Sequence, residues 1–568
     1  MPPALRTAFL ILFLIAPLHG DDLKKELRAY RKSVGRPALW IRTLAIEKLA
    51  ATRDVAALKL LARRYKRAEE PSDHVAYLVA GISAEKFTDQ EEHGAIWAKW
   101  LKSSKKPQDA WLWYLGQRLK VKWGQVEEVS ASLGEKRRSH FQKAATVLAL
   151  ANAAPGAQSL AVVPGVLDPK ALKRTKSHER AALQAACAVA LVKGRSELGK
   201  ESFTLAALAV IDQIDDEATL KHNRWVIARH LARALGISKL YLSGESWRTA
   251  LAGASAKAQR GEEPRPGGTR LRPVGLKPGA TIPRFLGIEG TGTRIAFLID
   301  CSDSMLIPIS EAEKEEIKRG PRREVTGSDP NKGKPGGLDP TPPAGKDDPL
   351  AKLPWDRIKT RFDAAREALI LSLESLGSEM QYAVITFGTD AEVLGGQGLI
   401  RANDKNRRLT INALRRMRVA PPDEKRPHGR LKGYTNLHGA LLDAYRITDG
   451  RPIELYEHTD PRGFSQGVDT IFVLSDGAPS WDDFNAVDVN DLGLTSGDPE
   501  SGHKGAKSPT LNFYGPYILP NHLMRDLVRL NLFRRVEVHC IGIGEANAAL
   551  LKGMAAIGGG QFRSVSAR

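Results

Sequence analysis

The chain has 568 residues, too many for one hydrophobic core, so two or more domains are expected. Its 85 Lys and Arg against 65 Asp and Glu give a net charge of +20, and all of that excess falls within residues 1–300, because residues 301–568 sum to zero. Three cysteines, Cys187, Cys301 and Cys540, exclude a disulfide framework, and their apolar surroundings suit small buried side chains rather than redox or nucleophilic work.

Residues 1–20 read as a secretory signal, with Arg6 in the positive region, an apolar run over 8–16, and a break at 17–20. The run is too short to span a bilayer, which needs ~20 residues. Leu18 and Gly20 fit the small-residue cleavage rule imperfectly, so an uncleaved N-terminal membrane anchor is the alternative. No cysteine follows for lipid attachment, and no later segment is long and apolar enough to cross a membrane. The expected location is exported: periplasmic, cell-surface or secreted.

Residues 21–252 are rich in Ala, Leu, Lys and Arg, with little β-branched alternation, and predict an all-α domain. Short amphipathic stretches come in pairs: 42–50 with 54–61, 181–191 with 203–214, and 225–235 with 247–251. The spacing is irregular. It suggests a HEAT-like solenoid, in which each pair needs its neighbours to bury its apolar face, ahead of an irregular helical bundle. The basic excess here suits an anionic surface or polymer, or nucleic acid, and equally a soluble domain with Lys- and Arg-rich outer faces. Residues 253–290 turn to Gly, Pro, Arg and Lys and read as an inter-domain linker.

From 291 to 568, apolar strands alternate with amphipathic helices, the pattern of an α/β doubly wound, mainly parallel sheet. Strands are expected at 294–300, 381–387, near 391–394, 469–475, 536–542 and 561–565. Helices are expected at 356–376, around 408–417 and 436–447, and at 521–533 and 546–557. Two insertions interrupt the order. Residues 307–354 have no sustained apolar period and are expected to be disordered, while 478–520 begins acidic, with Asp482, Asp483, Asp488, Asp491, Asp498 and Glu500.

Both insertions leave strand ends that carry candidate metal residues. Asp300-Cys301-Ser302-Asp303-Ser304 closes the first strand, Asp476 closes the one at 469–475, and Thr435 precedes a helix. If the first and fourth strands are neighbours, Asp300 and Asp476 meet in the crevice outside the carboxyl ends of a parallel sheet. Two carboxylates and three hydroxyls are hard oxygen donors that suit Mg²⁺. Such a set points to metal-dependent capture of an acidic partner rather than to catalysis.

These residues resemble the von Willebrand factor type A domain and its metal-ion-dependent adhesion site (MIDAS). The DxSxS element is Asp300, Ser302 and Ser304; the threonine motif is Gly433-Tyr434-Thr435-Asn436 with Ala440-Leu441; the later aspartate lies in Ser475-Asp476-Gly477-Ala478-Pro479. Ile541-Gly542-Ile543-Gly544 and Gly558-Gly559-Gly560-Gln561-Phe562 match the family's last strands. The resemblance covers 291–568 outside the insertions. It implies a bound Mg²⁺, with Mn²⁺ or Ca²⁺ as alternatives, held directly by Ser302 and Ser304. Thr435 would bind directly or through water, and Asp300 and Asp476 largely through water. The implied partner is an acidic protein that supplies a carboxylate to the metal. Asp303 departs from the family, where glycine is common, and adds negative charge.

Three rival readings exist. Helical repeats before such a domain resemble the Ro class of RNA-binding proteins, an association that the signal segment opposes. A chelatase-like or AAA+-coupled accessory subunit would work inside the cell, which export also opposes. A metal-dependent hydrolase would pair His438, one turn beyond Thr435, with Ser302 or Ser304. The segment 401–440 sums to +8, including Arg407, Arg408, Arg415, Arg416 and Arg418, and suits either an acidic partner at the rim or a solvated helix face. Asp488-Val489-Asn490-Asp491 lacks the full calcium-loop pattern.

Overall fold

The computed structural model describes residues 20–33, 39–65, 75–262, 271–274, 281–319, 349–388, 391–395, 398–417, 435–477, 479, 495–497, 504–507 and 520–566. The signal segment expected at 1–20 lies almost wholly outside them. Among the described residues, no helix is long and apolar enough to cross a membrane.

The first half is an all-α array in two layers. Its inner helices are α1 (Leu39–Ala51), α2 (Val75–Lys86), α3 (Ala110–Lys122), α4 (His140–Ala153), α5 (Ser177–Lys193) and α6 (Lys221–Leu235), each packed on the next. The helices between them, Val55–Arg64 with Gln90–Ser103 and Glu201–Asp215 with Gly244–Gln259, pack on one another behind. In α5 every residue from 181 to 191 is buried, as a helix enclosed on all sides requires. Alanine supplies most of that run, because small side chains let neighbouring helices approach closely. Its one polar member, Gln184, is satisfied by Gln213, Thr219 and Asn223.

The second half is a twisted sheet of β1 (Arg294–Asp300), β2 (Gln381–Phe387), β3 (Ala391–Val393), β4 (Thr470–Ser475), β5 (Glu537–Ile543) and β6 (Phe562–Val565). Its order is β6-β5-β4-β1-β2-β3, parallel except for β3, with Ile400–Arg401 pairing antiparallel beside the start of β2. This is the doubly wound arrangement, and its winding reverses between β1 and β4. Helices α7 (Glu311–Arg319), α8 (Arg361–Glu374), α9 (Asp404–Arg416), α10 (Leu437–Arg446), α11 (Pro520–Leu530) and α12 (Ala548–Gly558) flank it. Side chains alternate faces along a strand. Ile295, Phe297 and Ile299 therefore join a core with α8 and α9, while Ala296 and Leu298 face the α10 and α11 side.

That second core does not stop at α10 and α11. It runs on without a break into the inner layer of the array. Phe141 of α4 packs on Phe533 and Phe464, with ring centroids 5.2 and 5.9 Å apart. The Arg529 guanidinium lies over the Tyr77 ring of α2 at 3.9 Å. Polar clamps surround this contact: His522 to Glu47 at 2.8 Å, Arg525 to Glu85 at 2.6 Å, and Arg229 of α6 to Glu537 at 3.2 Å.

The linker expected at 253–290 differs from that expectation in part. The helix Gly244–Gln259 runs past its start, carried by an Ala-rich run with high helix propensity. Arg272–Pro273 pairs with Lys239–Leu240, and Arg284–Phe285 forms a hairpin with Ile288–Glu289 that buries Phe285 against Phe297 and Phe472. The first insertion is likewise not wholly irregular, since it contains α7 with Ile317 buried beneath it. Most of 478–520, including its acidic residues, lies outside the described residues; within it, Thr495–Gly497 and Lys504–Lys507 pair antiparallel.

Candidate metal centre

β1 and β4 lie side by side, with Ile299 opposite Leu474, so Asp300 and Asp476 emerge together at the carboxyl edge where the winding reverses. The four residues Asp300, Ser302, Ser304 and Asp476 form one hydrogen-bonded line. Ser302 donates to Asp300 Oδ1 through its backbone N at 2.9 Å and its Oγ at 2.6 Å. Ser302 Oγ and Ser304 Oγ are 3.0 Å apart, and Ser304 Oγ donates to Asp476 Oδ1 at 2.7 Å. Asp300, Ser302, Thr435 and Asp476 are buried, and Ser304 is half-buried.

Thr435 arrives from a separate segment. The backbone N of Asn436 donates to the carbonyl of Gly388, just past β2, at 2.7 Å, and the Asn436 side chain caps α10 by accepting from Gly439 N at 2.8 Å. This fixes Thr435 at the rim. A Cβ built on Gly477 would stand 3.8 Å from both Thr435 Oγ1 and Ser304 Oγ, so the threonine and the DxSxS loop border the same glycine.

The electrostatics are those of two buried carboxylates held close together. Burial, and then the nearby Asp476, push the Asp300 carboxyl up to about 7, against the hydrogen bonds from Ser302 and Ser475. Burial likewise raises Asp476, opposed by Ser304 and Arg361. Two desolvated carboxylates side by side disfavour joint ionisation, and a divalent cation relieves that cost. The donor set fits such an ion, since carboxylate and hydroxyl oxygens are hard donors.

Three neighbours of the site were not among the candidate site residues, although Ser475 and Asn436 stand within the quoted motifs. Ser475 Oγ donates to Asp300 Oδ2 at 2.6 Å, and only its place beside Asp476 hinted at a role. Arg361, the first residue of α8, reaches Asp476 Oδ2 at 3.3 Å and Glu313 Oε1 at 3.2 Å. Asn436 is the cap just described. Asp303, in the place of the family's glycine, is buried in a 3₁₀ turn, Asp303–Leu306, and is not among the residues with positive φ. No left-handed backbone is needed there.

The other candidates fall elsewhere. His438 Nε2 pairs with Asp526 Oδ2 at 2.9 Å, while Ser302 and Ser304 pair with the aspartates. Arg407 caps the end of α8, with Nη1 donating to the Leu376 carbonyl at 2.6 Å. Arg408, Arg415 and Arg416 lie on α9, and Arg418 is outside the described residues. Cys187, Cys301 and Cys540 are buried and form no disulfide.

No family model and no curated relative matches this sequence. Among solved structures, the chain is similar to one described as von Willebrand factor type A from Catenulispora acidiphila, at 15% identity and a TM-score of 0.26. That match covers 51% of this chain and 47% of the other, so the chain spans about half the length of the protein it matches.

Proposed function

We propose that this chain is an exported binding protein of the von Willebrand factor A kind, whose α/β half captures an acidic protein partner through a divalent cation. The observation that carries this reading is the unbroken line Asp300–Ser302–Ser304–Asp476 at the switch point of the sheet, with Thr435 beside it. Ser302, Ser304 and Thr435 would hold Mg²⁺, or Mn²⁺ or Ca²⁺, with Asp300 and Asp476 acting largely through water. The ion would supply an open coordination position to a partner's Asp or Glu. The protein's own part is to hold the hydroxyls in place and keep two carboxylates desolvated beside them.

Binding is favoured over turnover. Both serines pair with aspartates and the imidazole of His438 pairs with Asp526, so these three residues form no nucleophile–base pair. The two-layer stacking of the array supports the helical-repeat reading, and the basic excess of residues 1–300 suits an anionic surface or polymer. The test is capture from the exported fraction by wild-type protein and Asp300→Ala, each with Mg²⁺ and with EDTA. Capture by wild type in Mg²⁺ alone is expected. Equal capture in all four arms would refute metal-dependent binding.

A further inference from the structure

We propose that Arg361 is an internal cation that competes with the divalent ion for Asp476, and that Glu313, on α7 of the first insertion, is the partner it keeps when the ion is bound. This rests on the metal-binding reading above and assigns a purpose to a residue and an insertion which that reading leaves unused.

Arg361 sits between two carboxylates and is seated fully on neither. Its Nη1 is 3.3 Å from Asp476 Oδ2 and its Nε is 3.2 Å from Glu313 Oε1, at the long end of hydrogen-bond distances and not in the two-pronged geometry that makes Arg–carboxylate pairs strong. The side chain is nearly buried, so solvent screens these pairs little. Its position is built in. Gly544, at the end of β5, has φ +67, and a Cβ there would lie 2.1 Å from Arg361 Cζ. A side chain at 544 would occupy the guanidinium's place.

Glu313 is equally fixed. Its Oε2 accepts from both Ser310 N and Ser310 Oγ at 2.7 Å, which leaves Oε1 turned to Arg361. The far end of α7 is held by Arg563, which donates to the carbonyls of Glu316 and Ile317 at 2.6 and 3.3 Å. A guanidinium beside Asp476 meets two needs. Without a metal, it compensates a buried carboxylate whose other donors are the Ser304 hydroxyl and a backbone N–H. With a metal, it repels the incoming ion and lowers its affinity, and the Glu313 carboxylate draws it aside. Metal occupancy and the seating of α7 are thereby linked, and the linkage is reciprocal.

The test is titration of the full chain with Mg²⁺ by calorimetry, with folding of each variant checked by circular dichroism. Arg361→Gln is expected to bind Mg²⁺ about tenfold more tightly than wild type, since a unit charge a few ångströms from the ion is removed. Arg361→Lys, which keeps the charge, is expected to stay within about twofold of wild type, and Glu313→Gln to bind several-fold more weakly, because Arg361 then has Asp476 alone. Amide exchange along 313–319 is expected to slow on Mg²⁺ addition in wild type and to be unchanged in Glu313→Gln. Equal or weaker binding by a folded Arg361→Gln overturns the proposal and leaves the metal site standing. Should Arg361→Gln not fold, unchanged affinity in Glu313→Gln overturns it as well. Absence of Mg²⁺ binding by wild type removes the metal reading itself, and this inference with it.

Discussion

Asp300 is the residue on which the site's energetics turn. It is fully buried, and three of its hydrogen-bond donors come from two serines: the backbone N and Oγ of Ser302, and Oγ of Ser475. Removing one donor from a buried carboxylate costs about 1–3 kcal/mol. Ser475→Ala is therefore expected to lower the stability of the metal-free protein by about that amount in urea denaturation, although Ser475 is not one of the five candidate metal residues. No change would mean that water replaces the hydroxyl. Asp300, Ser302 and Ser304 were legible from sequence because five consecutive positions carry the pattern. Arg361 was not, because its partner Asp476 lies 115 residues away and nothing in the first turn of a helix announces an ion pair with a strand end.

Among the elements, α8 marks where pattern reading stops. Its apolar period suggested a start at 356, yet the helix begins at Arg361 because Thr360 and Asp363 close a reciprocal capping box: Asp363 N donates to Thr360 Oγ1 at 3.1 Å, and Thr360 N donates to Asp363 Oδ2 at 3.0 Å. Thr360→Ala is expected to cost about 1 kcal/mol in urea denaturation. It would also loosen the turn from which Arg361 projects. The parallel strands β1, β2, β4, β5 and β6 were read within a residue of their observed ends, because buried parallel strands are near-continuous apolar runs, whereas two-residue strands such as Ile400–Arg401 were not read. The short helix α7 was missed for the opposite reason: it buries only Ile317 and Glu313, too little to show a period within a charged insertion.

For the molecule as a whole, the sequence suggested a helical domain and an α/β domain on a flexible tether; the structure has both, and adds a contact between them that the sequence did not announce. The array and the α/β half share one apolar core, and their contact is clamped by the buried Arg229–Glu537 ion pair. Basic residues such as Arg229 read as solvated from sequence, because their partners are hundreds of residues away; Arg229 Nη2 donates to the carbonyl of Arg535, 306 positions on. Three carboxyls at or beside this contact lie below the usual carboxylate range. Burial opposes the shift at each, but Arg529 and His438 outweigh it at Asp526, His539 and Arg229 at Glu537, and His222 and Arg294 at Asp469. A carboxyl held lower in the folded chain contributes stability above its unfolded value of about 4, and loses that contribution as pH falls through the folded value. Urea midpoints are thus expected to drop below about pH 4, with both halves unfolding in one transition at neutral pH. Arg229→Met leaves Glu537 without its guanidinium and is expected to cost about 3 kcal/mol at pH 7, with a shallower acid fall. Two separate transitions at pH 7 would refute the shared core.

The clamp between His522 and Glu47 joins positions 475 residues apart. A ribosome adding roughly 5–20 residues per second needs some 25–95 s to make the second after the first. The array's helices are local and complete themselves early in that interval. Their aromatic inner surface, Phe141 and Tyr77 included, then waits for a counterpart that has not yet been made. In an emerging chain that apolar face stays uncovered until residues beyond 464 follow.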